Sequence, residues 1–375
     1  MKDLFKKIEI AFRKLLITLL RFLVRSRNPN PVAVDFDSCK FLFVRQDRIG
    51  DVLVSTPLFS ALKNNYKHAT VDALLSANNH FVLANNPFVR KRWMYDKGVV
   101  SSWKLMRSIR NERYDFVIDL MDNPSATSTV ICLLSGARWT VGLQKENAFA
   151  YDIVVPLSSR RDVHIVDRIA RLLVPFEIDP SKEDLRIQYS VGKDAQEFSA
   201  RTFRENKMIP AKTFGINISA GHDVRFWGVE NFRTLIASLQ HDYRGRTILV
   251  LSKPSQRALA NDIVKGFENV VLGPVTHSFD EFAALIENLS ILITPDTSAV
   301  HLAAAFDIPS VVLYVQSDKS LRVWDPYKTR SELLIADVDD LRIISPEKVL
   351  RAVRRLTTKL KHRNRRSSSR LAAHV

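Results

Sequence analysis

Residues 290–314 read SILITPDTSAVHLAAAFDIPSVVLY. The apolar run Ile291-Leu292-Ile293 predicts a buried parallel strand, because a strand covered on both faces need not alternate polar and apolar residues. Thr294-Pro295-Asp296-Thr297-Ser298 follows, and Pro295 with the small polar residues stops the strand. Residues 299–306, AVHLAAAF, are Ala-rich and favour a helix. Ile308-Pro309 ends that helix, and residues 310–314 form the next strand. In a strand–turn–helix–strand unit the turn lies at the carboxyl edge of the sheet. The helix N-terminus there aims free N–H groups at whatever binds. Asp296 and Thr297 add side-chain groups at the same point, which suits a nucleotide phosphate with a sugar attached. Plainer roles stand beside this: Asp or Thr before a helix also serves as an N-cap, and a buried His also serves as a core residue.

The same alternation extends over most of the chain. Strands are expected at 40–45, 70–75, 114–120, 213–218, 247–251 and 270–273, and helices at 52–63, 101–111, 125–135, 164–173, 229–239 and 279–288. Residues 177–191 are charged, irregular and Pro-containing, and read as a passage between domains. This gives an α/β chain of two doubly wound, Rossmann-like domains. Residues 38–176 form the N-terminal domain, 177–209 the interdomain passage and 210–344 the C-terminal domain; 345–375 is a helix with a basic tail. With 375 residues and 46% apolar content, two cores of ordinary size can be buried.

The formal charge is +16, and it sits at the ends. Residues 1–27 contribute +6 and residues 348–375 contribute +10, so the body between them is neutral. A nucleic-acid-binding body would carry basic residues on its own folded surface, so no nucleic-acid partner is expected. Residues 1–27, MKDLFKKIEIAFRKLLITLLRFLVRSR, place apolar side chains at helical spacing opposite Lys7, Lys14, Arg21 and Arg25. The uncharged run 15–20 is too short to span a membrane. A basic amphipathic helix at 1–31, with its Asn-Pro linker, is expected to lie on an anionic membrane surface, helped by the C-terminal tail. The alternative is that this helix packs on the protein's own body. Cys39 and Cys132 fit no metal-ligand pattern, and a reduced, cytoplasmic setting suits them.

Two loops complete the candidate site. Residues 46–53 read QDRIGDVL. Gly50 permits a tight turn, and Asp51 falls at the start of a helix, beside Arg48. Residues 219–227 read SAGHDVRFW: small Ser219 at a strand end suits a phosphate, and Arg225 adds a fixed charge with a planar fork of donors. Trp227 fits ligand contact and core packing equally.

The chain resembles glycosyltransferase family 9, the heptosyltransferase-type enzymes. Asp296-Thr297-Ser298 with His301-Leu302-Ala303-Ala304-Ala305 looks like the family's C-terminal signature, with Ser298 in place of the usual Gly. Arg45-x-Asp47-x-Ile49-Gly50-Asp51-Val52-Leu53 with Pro57 looks like its N-terminal signature. Two signatures in the family's order are far more specific than one. Arg225, Trp227, Glu230 and Phe232 match a third, with Gly228 replacing a Pro; Ser255 and Gln256 stand where relatives place an acid for the ribose. The resemblance covers roughly residues 38–340. It implies the glycosyltransferase-B fold: two domains facing a cleft, acceptor on the first and nucleotide-sugar donor on the second. It further implies an inverting, metal-independent transfer with no cofactor. The donor would be ADP-heptose and the acceptor a lipid-linked saccharide of the lipopolysaccharide core. The enzyme would work peripherally on the inner face of the cytoplasmic membrane. Asp51 would be the general base, weak at an ordinary Asp pKa of about 3.9. Arg225 and the helix after Asp296 would neutralise the leaving diphosphate. Ser219, Arg225, Trp227, Asp296, Thr297, Ser298, Ala299 and His301 would bind the donor; Arg48, Gly50 and Asp51 would form the acceptor-side loop. His164 would lie near the acceptor, although a surface role also fits it. A silent nucleotide-sugar-binding protein, or a transferase for another nucleotide sugar, fits the same residues.

Overall fold

A computed structural model of the protein describes Thr18, Arg21, residues 34–316, Asp318 and residues 320–372, the last twelve as backbone only. The chain divides into two compact units, Met1–Leu185 and Arg186–Val375. The expected amphipathic helix at 1–27 lies outside the described residues, Thr18 and Arg21 apart. Among the described residues no helix is long and apolar enough to cross a membrane.

The first unit is built on β1 (Lys40–Val44), β2 (Thr70–Ser76), β3 (Lys91–Tyr95), β4 (Phe116–Asp119), β5 (Trp139–Leu143) and β6 (Ile153–Val155). They lie in the order β3-β2-β1-β4-β5-β6, and every pair is parallel. This is the doubly wound order, whose direction reverses between β1 and β4. The connecting helices are α1 (Ile49–Asn65), α2 (Val99–Glu112), α3 (Ala126–Leu134) and α4 (Ile165–Ala170). Residues 51–62 of α1 are all buried, which explains why its sequence shows no polar stripe. Aromatic packing fixes one face of the sheet. Phe41 stacks on Phe116, which stacks on Trp139, and Phe176 meets Phe41 and Phe116 edge-on at 5.2 and 5.0 Å.

The second unit repeats the design with α5 (Lys193–Glu205), β7 (Thr213–Asn217), α6 (Val229–Asp242), β8 (Thr247–Leu251), α7 (Arg257–Val264), β9 (Val270–Leu272), α8 (Phe279–Glu287), β10 (Ile291–Pro295), α9 (Ser298–Ala305), β11 (Ser310–Val315), β12 (Ser331–Ala336) and α10 (Pro346–Ala372). The order is β12-β11-β10-β7-β8-β9, again parallel throughout, so its reversal falls between β7 and β10. Residues 193–205, expected within a passage, form α5 instead and join this unit through the Ser199 hydroxyl, which donates to Ala284 O. The C-terminal helix continues through the basic tail to Ala372, and part of its charge is paired with the body rather than solvated: Arg354 with Asp242, Arg355 and Lys359 with Glu332.

Candidate active site

In a doubly wound sheet the crevice opens at the carboxyl ends of the strands where the order reverses. In the first unit that point follows β1 and β4. Strand β1 runs into Arg45, which is fully buried. Its guanidinium donates from Nη2 to Asp51 Oδ1 at 3.0 Å, from Nε to Asp51 O at 3.2 Å, and from Nη1 to Leu120 O. Nε also lies 3.2 Å from Asp47 Oδ1. The other Asp51 oxygen accepts from the Arg48 amide at 3.2 Å, which caps the first turn of α1. Gly50 lies inside that turn and is not among the positive-φ residues. The turn expected at Gly50 is the first turn of α1 itself; the chain bends at Asp47 and enters the helix through Arg48, whose backbone is extended.

Burial pushes the Asp51 carboxyl above its ordinary range, opposed chiefly by Arg45. The expectation of an ordinary Asp at this position is therefore corrected: the buried carboxyl holds a proton more readily than a solvated one. Burial likewise pushes Asp47 up to about 6. Asp122, just beyond β4, takes Arg168 Nη1 and Arg160 Nη2 on one oxygen, both at 3.0 Å. Arg45 and Asp47 enter the sequence reading only as members of the N-terminal signature, with no role assigned, and Asp122 and Arg168 are given no role in it. His164, read as an acceptor neighbour or a surface residue, is buried, which removes the surface reading; it caps α4, its Nδ1 accepting from the Val166 amide at 3.2 Å.

In the second unit the corresponding point follows β7 and β10. Arg225 Nη1 lies 3.0 Å from Asp296 Oδ2, both side chains about a third exposed. Thr297 caps α9, its hydroxyl accepting from the Ala299 amide at 3.3 Å. Asn217, at the end of β7, donates to Thr294 Oγ1 at 2.9 Å and Thr297 Oγ1 at 3.3 Å, so the two strands fix the turn together. Ser219 Oγ accepts from the Lys253 amide, and Lys253 Nζ donates to Ala220 O at 2.7 Å. Gln256 Oε1 accepts from the Ala220 amide at 3.2 Å. The residue standing where relatives carry an acid thus holds the Ser219 loop.

Three expected donor contacts sit inside the unit. Trp227 is fully buried, donates to Ile344 O at 2.7 Å and packs edge-on against Phe232; of its two readings the structure selects the core. Ala299 and His301 are buried in α9, with the His301 ring 6.4 Å from that of Trp324. Ser298 opens α9 half-buried. Gly228, in place of the family's Pro, has φ +99° and leads into α6; Pro cannot adopt that angle.

Comparison with known proteins gives a consistent result. The family model of glycosyltransferase family 9 (heptosyltransferase) matches residues 102–346. Lipopolysaccharide heptosyltransferase 3 of Escherichia coli K12 is 26% identical over 296 residues, covering 74% of this chain and 82% of that protein. A glycosyl transferase family 9 structure from Veillonella parvula superposes with a TM-score of 0.73 at 18% identity, covering 87% of this chain and 99% of the other. The E. coli ADP-heptose lps heptosyltransferase II structure gives 0.70 at 19% identity, covering 86% and 99%.

Proposed function

The chain belongs to glycosyltransferase family 9 and is a glycosyltransferase; on that premise we propose that it moves a heptose from ADP-heptose to a lipid-linked saccharide, inverting the anomeric carbon without a metal ion. The observation that carries the reading is the second switch point, where Arg225 stands beside the Thr297-capped N-terminus of α9. A diphosphate seated there meets a guanidinium and oriented backbone dipoles, which stabilise the charge that grows on the leaving group. Asp51 is the base. The acceptor oxygen bonds to the anomeric carbon, the bond from that carbon to the diphosphate oxygen breaks, and the nucleoside diphosphate leaves with the electron pair. The acceptor hydroxyl proton passes to Asp51, whose burial makes it a stronger base than a solvated carboxylate. Arg45 holds that carboxylate in place from within the first unit.

The test is transfer from a panel of nucleotide sugars to a heptose-deficient lipopolysaccharide core, read by mass spectrometry, with and without a chelator. ADP-heptose should add one heptosyl residue in both conditions. Asp51→Asn should lower turnover by roughly 10²–10⁴-fold, the usual worth of a general base, while ADP affinity holds. Transfer from another nucleotide sugar would move the donor assignment. Binding without transfer would replace it with the silent scaffold.

A further inference from the structure

We propose that the outer face of α2 (Val99–Glu112) is a docking surface for an anionic lipid bilayer. Val99 is 87% exposed, Val100 66% and Trp103 62%. The inner side of α2 is already supplied: Ile109 is buried, and Leu105 and Met106 pack on the first unit's core. The helix is thus apolar on both sides of its first turns, which its own core does not require. Lys97, Lys104 and Arg107 are exposed around the outer apolar group, and the Arg107 guanidinium lies 5.7 Å from the Trp103 ring centre. Apolar side chains and a Trp framed by basic residues are the composition of an interfacial anchor.

Charge selects the occupant. Residues 96–113 hold five Lys/Arg against Asp96 and Glu112, and Glu112 is itself paired with Arg90 and Lys91. Residues 1–27 carry +6, so they are repelled from this face, as is the same face of a second copy. An anionic headgroup layer is attracted, and it accepts the three apolar side chains below it. Nucleic acid would satisfy the charges but not the two valines.

The placement also serves the reaction, although that consequence rests on the proposed lipid-linked acceptor. Helix α2 follows β3, so its first turn opens at the carboxyl edge of the sheet, the edge that carries Asp51 after β1. Strands β3, β2 and β1 are neighbours, spaced about 4.8 Å apart. Docking through α2 therefore holds the Asp51 edge near the lipid.

The test uses the full chain and no nucleotide sugar, so its outcome is independent of transferase activity. Cys39 and Cys132 are buried, and burial pushes the Cys39 thiol up to about 11 and Cys132 well above its ordinary value, which leaves both unreactive. Val100→Cys can then be labelled alone with an environment-sensitive maleimide, with Asn64→Cys, at the opposite edge of the sheet, as control. Phosphatidylglycerol-containing vesicles should blue-shift the label at 100 and expose it to a lipid-borne quencher, leaving the label at 64 unchanged. Adding Lys104→Glu and Arg107→Glu should weaken that response by roughly tenfold or more. The proposal falls if the label at 100 stays aqueous on vesicle-bound protein, or is already in an apolar setting before vesicles are added. It falls equally if phosphatidylcholine vesicles act as well, or if duplex DNA gives the response and vesicles do not.

Discussion

Arg45→Met replaces a buried guanidinium with an apolar side chain of similar reach. The guanidinium faces Asp51, Asp47 and the Leu120 carbonyl from inside the first unit. At about pH 8 the variant must keep the buried Asp51 and the half-buried Asp47 carboxylates charged without their partner, or protonate them against the solution. Breaking a buried pair in this way costs about 3–5 kcal/mol. At about pH 5 protons take over the guanidinium's work. Asp47, whose folded value lies near 6, is already protonated there in the wild type. What remains is the loss of hydrogen bonds to buried carbonyls, about 1–2 kcal/mol. The penalty should therefore shrink by about 2–3 kcal/mol between the two pH values. The sign agrees with the wild type: folded values above unfolded ones mean stability is fullest below the unfolded pKa and falls as pH rises through the folded one. Urea unfolding at both pH values measures this. The same variant should also move the acid limb of kcat/KM to higher pH, because Arg45 is what holds Asp51 down against burial. An equal penalty at both pH values, with an unmoved acid limb, would refute the coupling of Arg45 to these carboxylates.

Arg225→Ala should weaken ADP binding about ten- to a hundredfold, the worth of a charge-assisted hydrogen bond, and Arg225→Lys should restore part of it; calorimetry with ADP decides, and unchanged affinity would remove Arg225 from the donor site. Gly228→Ala should cost about 1–3 kcal/mol through backbone strain alone, because an added Cβ would meet nothing closer than Arg342 Cγ at 3.7 Å. Gly228→Pro should cost more, since proline fixes φ near −65°; thermal unfolding compares the two.

The parts of the fold legible in the sequence are those where burial on both faces leaves a continuous apolar run. KFLFV, TILVL and SVVLYV are such strands, and both signature turns follow strands of this kind. Strand β3 was missed because it is an edge: KRWMY alternates partly buried and exposed residues, and its charges read as loop. Strand β12, SELLIA, is the opposite edge strand of the second sheet and was missed for the same reason. Strand β6 has only three residues, of which Val155 alone is buried, so it lacks the continuous apolar burial that marks the others. The long passage expected at 177–209 reflects its charge, yet α5 within it buries Ala195, Ser199, Thr202 and Phe203 along one face.

The candidate site was legible where a residue's chemistry is local, and hidden where it depends on a partner across the sheet. Thr297 caps α9 two residues away from the amide it receives, and a capping residue is visible in any sequence. Arg45 looks in sequence like the charged end of a strand, free to reach water along its stem. What buries it is the convergence of Asp51, Asp47 and Leu120 around the first switch point, and Leu120 is 75 residues away. Gln256 carries the same lesson in the second unit. Read as the loss of an acid, it is in fact the side chain that receives the Ala220 amide and shapes the loop carrying Ser219. A departure from a family pattern is thus not by itself a loss of function. Gly228 adopts a backbone angle closed to the residue it replaces, and Gln256 makes a contact an anion could also make. Neither substitution removes Arg225 or Asp51, the two charges on which donor binding and proton transfer are proposed to rest.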